Sequence, residues 1–413
     1  MEVAQSEKAE TQRFTDRFGQ RYTIGVFVAA TLAIFLPWAL RGEALPISLY
    51  RAMTILVVAS PCAVVISIPA AILAAIARGA REGILFKGGA HLERAAKITA
   101  IAFDKTGTLT LGHPRLTGVR ATSGVEPNRV LQLAASAEAR SEHPLARAIV
   151  DGAAEANLPF LDCTNFTAIV GWGLAASVDG IVVRIGKEEI VKRIGLVVPD
   201  DLKHEARELA NLGQTVMYVA DESRVLGIVA AADTLRPHLD ETLRSIRDLG
   251  VKRLIMLTGD NSIVAAAMAS RLGIEFRADM LPADKMQVIA ELMKEGEFVA
   301  MVGDGINDAP SLATATLGVS LGGVSSDVAL ESADLVLMGG DLRRLLEAIG
   351  LARAMNRIIR QNLVFAFGMM AILLISTITV SLRLPFAVVG HEGSTILVIL
   401  NGLRLLSLRI KPR

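Results

Sequence analysis

Four long apolar segments, two near each end of the chain, constrain the fold more than any other feature of the sequence. A helix needs about 20 consecutive apolar residues to cross a bilayer core about 30 Å thick. We expect such helices over residues 21–41, 46–78, 355–382 and 384–406. Hydrophobic residues make up 52% of the 413 residues, which fits a chain of this kind. The sequence therefore predicts a multi-pass membrane protein whose surroundings are the lipid bilayer.

The polar stretch between the second and third segments predicts a soluble body. Arg78 and Arg81 stand before this body, and Arg357 and Arg360 stand after it. By the positive-inside rule the body is cytoplasmic, together with the N-terminal segment, residues 1–20, and the membrane is expected to be a plasma or inner membrane. The net charge of +1 gives no reason to expect a nucleic-acid partner.

Three short apolar runs in the soluble body each lead into an aspartate, namely Asp104, Asp260 and Asp304. Short buried runs followed by helical segments are typical of parallel strands, and ligands bind beyond the carboxyl ends of such strands. We therefore expect an α/β sheet that brings the three carboxylates to one crevice. For Asp260, a role in structuring its own turn explains the residue equally well.

A second soluble domain interrupts this sheet after its first strand. Residues 113–231 contain two alternating runs about Asp179-Gly180, which is a hairpin signal. An inserted α+β domain explains this pattern. The sheet domain is then built from a linker and first part, residues 79–112, and a second part, residues 232–350.

Four motifs in the sheet domain resemble those of the P-type ATPases, which are ion pumps. They are DKTGTLT at 104–110, TGD at 258–260, PADK at 282–285 and GDGINDAP at 303–310. They occur in the family's order, and the resemblance covers nearly the whole chain. It implies a multi-domain α-helical membrane protein with a cytoplasmic α/β haloacid-dehalogenase-like phosphorylation domain and an inserted α+β nucleotide-binding domain. It also implies ATP-driven translocation through an aspartyl phosphate.

The chemistry of these motifs assigns roles to individual residues. A carboxylate at a strand end can attack the γ-phosphoryl group of ATP, and Asp104 is the expected nucleophile. Lys285 would offset charge on the phosphoryl oxygens, and Thr258 could donate a hydrogen bond to one of them. Magnesium prefers hard oxygen ligands, here the carboxylates of Asp104 and Asp304 and, as in the family, the Thr106 carbonyl. The residues expected to orient the loop or the phosphoryl group are Asn307 and Asp308.

The inserted domain carries two segments that look like the nucleotide site of the family's heavy-metal branch, EARSEHPLARAI and VGWG. The resemblance assigns ATP binding to Glu138, His143, Gly171 and Gly173, and Asp260 is a further candidate there. Glycines allow backbone to approach a purine closely. In DTLRP, Asp233 and Arg236 match the family's hinge between the two domains.

The residues that we expect to bind the transported ion, the predicted cargo residues, lie in the second and fourth apolar segments. Pro61 should break its helix and bare backbone carbonyls beside Ser60 and Cys62. Ionisable residues within a span normally face a pathway, so His391 and Glu392 would add nitrogen and oxygen ligands. Such a mixed set suits borderline divalent metals. The motifs SPC at 60–62 and HEGST at 391–395 resemble those of the family's subgroup that exports Co(II), with Zn(II), Cd(II) or Fe(II) as alternatives. A last span that starts near Ser394 would instead leave both ionisable groups in the outer interface.

The sequence contains no Thr-Gly-Glu, the loop with which the family's actuator domain hydrolyses the aspartyl phosphate. We therefore expect this chain to be an N-terminally truncated product. A further option is that another chain, which carries an actuator domain, complements it. Two other functions stay open. One is a membrane-tethered phosphatase of the same fold, although Thr106 stands where such enzymes have an acid/base aspartate. The other is a metal-binding fragment that does not transport.

Overall fold

The structure is a computed structural model, and it describes residues 10–141, 143–169, 171–304, 308–322, 332–380 and 382–408. Asn307 lies outside the described residues, so its predicted role stays a prediction. In the described part, one α/β body is inserted into another, and both lie along the chain between two pairs of apolar helical spans.

The N-terminal membrane part consists of helices α1 (Glu10–Arg41), α2 (Leu45–Val58) and α3 (Cys62–Arg81). Helices α2 and α3 lie in one apolar span that is interrupted between Val58 and Cys62, at Pro61. A proline lacks the N–H of a helical hydrogen bond and clashes with the preceding turn, so the interruption has the cause that the sequence predicts. The break leaves Ser60 outside regular helix, directly before the thiol of Cys62.

The first part of the phosphorylation domain follows directly on α3. It contains β1 (Ile84–Phe86), α4 (Gly89–Lys97) and β2 (Ala100–Asp104). Every residue of β2 is buried, which explains why this strand reads as a continuous apolar run. A tight turn, Lys105–Leu109, in which Thr106 and Gly107 have non-helical backbone angles, connects β2 to the next domain.

The inserted domain is a six-stranded antiparallel sheet with helices packed against it. Its strand order is β3-β8-β7-β6-β5-β4, and the predicted hairpin about Asp179-Gly180 joins β5 to β6. The elements in chain order are β3 (Arg115–Ala121), α5 (Pro127–Glu138), α6 (Pro144–Glu155), β4 (Cys163–Ile169), β5 (Gly173–Val178), β6 (Ile181–Gly186), α7 (Glu188–Lys192), α8 (Asp200–Asn211), β7 (Thr215–Ala220) and β8 (Val225–Ala232).

The chain then returns to the phosphorylation domain and completes its sheet. The seven strands lie in the order β1-β13-β12-β11-β2-β9-β10, and all pairs are parallel except that between β1 and β13. The remaining elements are α9 (Leu239–Asp248), β9 (Arg253–Leu257), α10 (Ser262–Leu272), β10 (Glu275–Arg277), α11 (Pro282–Lys294), β11 (Val299–Gly303), α12 (Ala309–Thr314), β12 (Leu317–Gly322) and β13 (Leu335–Met338).

Two helices complete the membrane part, α13 (Arg343–Thr379) and α14 (Leu384–Leu403). Helix α13 is one uninterrupted helix that belongs to both parts of the protein. Its first half is packed in the core of the phosphorylation domain through residues such as Leu345 and Ile349, and its second half lies in the apolar bundle. The described residues contain four spans that are long and apolar enough to cross a membrane. They are α1, the α2–α3 pair, α13, and α14 together with the short 3₁₀ turn that follows it. The predicted fold class is confirmed.

Candidate functional site

The carboxyl ends of three adjacent strands carry the predicted phosphorylation residues. Strand β2 lies between β11 and β9 and pairs in parallel with both. Asp104 ends β2, Thr258 follows β9 and Asp304 follows β11. Because parallel strands end at the same edge of a sheet, residues distant in sequence meet here.

Lys285 binds two buried carboxylates at this edge. Its Nζ lies 2.5 Å from Oδ1 of Asp104 and 2.8 Å from Oδ1 of Asp308. All three residues are at most 8% exposed. The lysine reaches them from the first turn of α11, which begins at Pro282 and is fixed by the Asp284 side chain, an acceptor for the Leu281 N–H at 2.8 Å. The motif PADK thus places one cation between two acids.

Burial dominates the electrostatics of the nucleophile. The pKa of Asp104 is raised to about 7, mainly by burial and also by the nearby Asp308, whereas Lys285 acts in the opposite direction. For Lys285 burial lowers the pKa, but the two carboxylates outweigh burial and hold the pKa above its ordinary value. Because Lys285 is shared between two buried carboxylates, this cluster of acids favours the binding of a further cation.

Asp260 forms an ion pair with Lys105, the residue directly after the nucleophile. Its N–H also donates to the Thr258 hydroxyl over 3.1 Å, and its carbonyl accepts from the Asp279 N–H over 2.8 Å. Asp260 therefore structures its own turn and connects that turn to the phosphorylation loop. The sequence analysis missed Lys105, although its place beside Asp104 was the signal that could have identified it.

The oxygen atoms around Asp104 fit a magnesium ion. The Asp304 carboxylate lies next to Gly107, where an added Cβ would be 3.5 Å from Oδ2 of Asp304, and Asp304 also acts on the pKa of Asp104. Two carboxylates and the Thr106 carbonyl are hard ligands, and magnesium keeps several waters. Across the described ranges, no three His, Cys, Asp or Glu side chains are grouped to hold a metal by themselves.

Two of the predicted nucleotide residues, Glu138 and His143, lie just before the start of α6. Glu138 is 6% exposed at the end of α5, and burial raises its pKa to about 7. His143 is the N-cap of α6, where Nδ1 accepts from the Leu145 N–H over 3.2 Å. Burial lowers the pKa of His143, while Asp260 raises it, so His143 lies within the electrostatic reach of the phosphorylation loop.

The two glycines of VGWG differ in their surroundings. A Cβ at Gly173 would lie 2.0 Å from the Ile185 carbonyl, so close packing of β5 on β6 requires this glycine. At Gly171, with φ of 78°, an added Cβ would meet nothing within 4 Å. Between them, Trp172 stacks under Arg193 at 3.9 Å, a contact that the sequence analysis missed. Gly171 is thus the glycine whose open side suits a ligand.

The predicted cargo residues lie at the helix break, at the start of α3 and on α14. The Ser60 hydroxyl and the Cys62 thiol are 2.9 Å apart at the helix break. His391 is 5% exposed, and its Nε2 atom is buried without a hydrogen-bond partner in the described residues. Glu392 is exposed on the neighbouring face of α14. Because α14 begins at Leu384, His391 lies within the helix, while the point at which the helix enters the membrane stays a prediction.

Packing along α3 and α14 fixes the relative direction of the two helices and the end of α3 nearer to His391. Val398 packs with Ala63 and Val64, and an added Cβ on Gly402 would lie 3.5 Å from the Ala71 backbone nitrogen. The two helices therefore run in the same direction. His391 lies on the side of Val398 away from Gly402, which is the side of the N-terminal end of α3.

Residues 98–316 match the family described as haloacid dehalogenase-like hydrolase. The chain is similar, with 30% identity and a TM-score of 0.53, to a solved catalytic CPx-ATPase domain, CopB-B, of which it covers 98% with 68% of its own length. The chain belongs to the heavy-metal-transporting P-type ATPases. This confirms the resemblance that the motifs indicate, and with it a multi-pass membrane location with cytoplasmic catalytic domains.

Two further relatives cover nearly all of this P-type ATPase chain. A crystal structure of a zinc-transporting PIB-type ATPase in the E2.Pi state is 41% identical, with a TM-score of 0.77 over 98% of this chain and 66% of that one. The zinc/cadmium/lead-transporting P-type ATPase of Escherichia coli (strain K12) is 42% identical over 99% of this chain. The chain spans 55% of that relative's length, so it corresponds to about half of the protein it matches.

Proposed function

We propose that this chain supplies the phosphorylation, nucleotide and cargo sites of an ATP-driven exporter of a divalent transition metal. The observation that carries the proposal is the lysine that joins Asp104 to Asp308 at the end of a parallel sheet. Asp104 would attack the γ-phosphoryl group, and Lys285 would stabilise the charge that develops on the phosphoryl oxygens. A bound magnesium ion would neutralise further phosphoryl charge, with Asp104, Asp304 and the Thr106 carbonyl as its ligands.

The cargo site of this proposal is formed by Ser60, Cys62 and His391. A buried imidazole nitrogen without a hydrogen-bond partner is costly, and His391 has such a nitrogen in the described residues, while a thiol and a hydroxyl lie together at the helix break. Sulfur, nitrogen and oxygen donors suit borderline divalent ions. Similarity to relatives named for zinc, cadmium and lead supports a divalent cargo. A preference for Co(II) rests on the SPC and HEGST motifs.

The test of this function is incorporation of label from γ-labelled ATP into the purified full chain in the presence of Mg²⁺. We expect acid-stable label that increases when Co(II), Zn(II) or Cd(II) is added, because a pump couples phosphorylation to cargo. If Co(II) is preferred, it gives half-maximal stimulation at the lowest free concentration. Label that is insensitive to all three ions contradicts the transport function.

Nucleotide affinity is expected to depend on pH through Glu138. An ionised carboxylate accepts a hydrogen bond from the adenine amino group, and a protonated one loses this acceptor. The pKa of Glu138 is raised to about 7, so the ionised form prevails above pH 7. We expect the affinity for ATP to fall about tenfold between pH 8 and pH 6, as one proton binds. Equilibrium binding of ATP measures this change.

Two variants separate Glu138 from its neighbour. Glu138→Gln is expected to bind ATP equally at both pH values. His143→Asn is expected to bind more weakly but to keep the pH dependence, because Glu138 is unchanged in this variant. A pH dependence that disappears only in His143→Asn would assign the titration to the histidine instead.

A further inference from the structure

Arg236 connects two parts of the chain that are far apart in sequence, the turn after Asp104 and the residues before α13. Its Nε donates to the Thr108 carbonyl over 2.7 Å, and its Nη2 donates to the Gly107 carbonyl over 2.6 Å. Its Nη1 donates to the Gly340 carbonyl over 2.6 Å. Gly107 and Thr108 belong to the turn that follows Asp104, whereas Gly340 precedes α13.

The backbone around Arg236 is fixed against the same turn. Its own N–H donates to the Leu109 carbonyl over 3.0 Å, and the Leu111 N–H donates to the Thr234 carbonyl over 2.9 Å. The Asp233 carboxylate accepts from the Gly112 N–H over 3.1 Å. The segment that leaves the phosphorylation domain, residues 109–112, and the segment that returns to it, residues 233–236, are thus held side by side. The backbone from which the guanidinium of Arg236 extends is therefore fixed in position.

The third bond of Arg236 reaches the beginning of the helix that enters the membrane. Asp341 follows Gly340, and its carboxylate accepts from the N–H of Arg343, the first residue of α13, over 2.9 Å. Burial lowers the pKa of Arg236, and Asp233 and Asp341 act in the opposite direction, so Asp341 also lies within the field of the guanidinium. A displacement of the phosphorylation turn would therefore act on the first turn of α13.

Helix α13 is in turn fixed to the helix that carries His391. Asn362, 2% exposed, donates through Nδ2 to the Val398 carbonyl over 3.2 Å. Its Oδ1 accepts from Nδ2 of Asn401 over 2.8 Å, and Arg404 donates to Oδ1 of Asn401 over 2.9 Å. One continuous helix is thus hydrogen-bonded near the phosphorylation turn at one end and to α14 within the bundle.

We propose that Arg236 is a positioning residue that fixes the phosphorylation turn to the first turn of α13, so that a change at Asp104 is transmitted to the cargo helices. The planar guanidinium suits this role because its donors leave in fixed directions and bind three carbonyls at once. A lysine would offer a single flexible point of contact. The catalytic consequence rests on the proposed phosphorylation of Asp104, but the connection itself does not.

The connection is tested by hydrogen exchange of the full chain in detergent micelles, without nucleotide or metal. In Arg236→Ala we expect amides in residues 105–111 and in residues 338–344 to exchange at least about tenfold faster, since a hydrogen bond to a charged group is worth a factor of this order. Compared with Arg236→Ala, Arg236→Lys should restore slow exchange in only one of these two segments. Arg244→Ala, which removes an exposed guanidinium from α9, should change neither.

Phosphorylation provides the second readout. At saturating ATP, Arg236→Ala is expected to lower the labelling rate at least about tenfold, with little change in the ATP concentration that gives half the maximal rate, because the nucleotide residues lie elsewhere. Faster exchange in residues 105–111 without any change in residues 338–344 would overturn the connection. If the wild-type chain takes up no label, the proposed phosphorylation fails, while the exchange data still decide the role of Arg236.

Discussion

Asp104→Asn is expected to abolish acid-stable labelling from γ-labelled ATP. The amide of asparagine cannot attack the phosphoryl group, so the covalent step has no nucleophile, and loss of a nucleophile lowers turnover by orders of magnitude. We expect label to fall at least about a thousandfold, to background. The substitution keeps the size of the side chain and leaves the Lys285–Asp308 pair in place, so the domain should still fold. Nucleotide affinity should be retained, because Glu138 and His143 are unchanged.

Asp248→Asn provides the control for this experiment, because Asp248 is an exposed aspartate at the end of α9. Its label should equal that of the wild-type chain. Lys285→Met should also lose label, since the buried carboxylates of Asp104 and Asp308 would then stand without their cation. Acid-stable label that persists in Asp104→Asn would place the covalent phosphate on another residue.

Metal binding is expected to be lost in Cys62→Ala and in His391→Ala. Each change removes a strong donor from a small set, and we expect the affinity for the preferred divalent ion to fall at least about a hundredfold. His391→Ala also removes the buried nitrogen that has no partner in the described structure, so its cost in stability should be small. Equilibrium dialysis of the purified chain against each metal measures the loss.

The exposure of Glu392 predicts that it contributes less to metal affinity than His391, its neighbour on α14. Glu392 lies on the exposed face, whereas His391 is buried. We therefore expect Glu392→Gln to change the affinity less than about tenfold. The matched controls are Cys163→Ala, which removes the other cysteine, and His204→Ala, which removes an exposed histidine from α8. A larger loss for Glu392→Gln than for His391→Ala would contradict this arrangement of the cargo site.

The motifs predicted much of the phosphorylation site because its chemistry is local. Asp104 ends one buried strand and Thr258 directly follows another, and parallel strands bring their carboxyl ends together whatever the rest of the chain does. The break at Pro61 was likewise predictable, because the missing N–H acts within one helical turn. These features depend on covalent geometry and on strand or helix periodicity.

Other contacts could not be predicted because they join residues far apart in sequence. The pairing of Lys105 with Asp260, the stacking of Arg193 on Trp172 and the three bonds of Arg236 all arise only once separate elements are packed. The difference between Gly171 and Gly173 has the same origin, since only the approach of β6 makes one of them sterically necessary.

The sequence by itself determined the family, the membrane segments and the residue types of each site, because motif spacing, apolar length and donor chemistry are properties of the chain. Only the tertiary structure decided which donors face inward. A single residue step on a helix turns a side chain by about 100°, so neighbouring His391 and Glu392 end in different environments. The packing of α14 against α3 and α13, rather than the sequence of α14, selects the histidine for the interior.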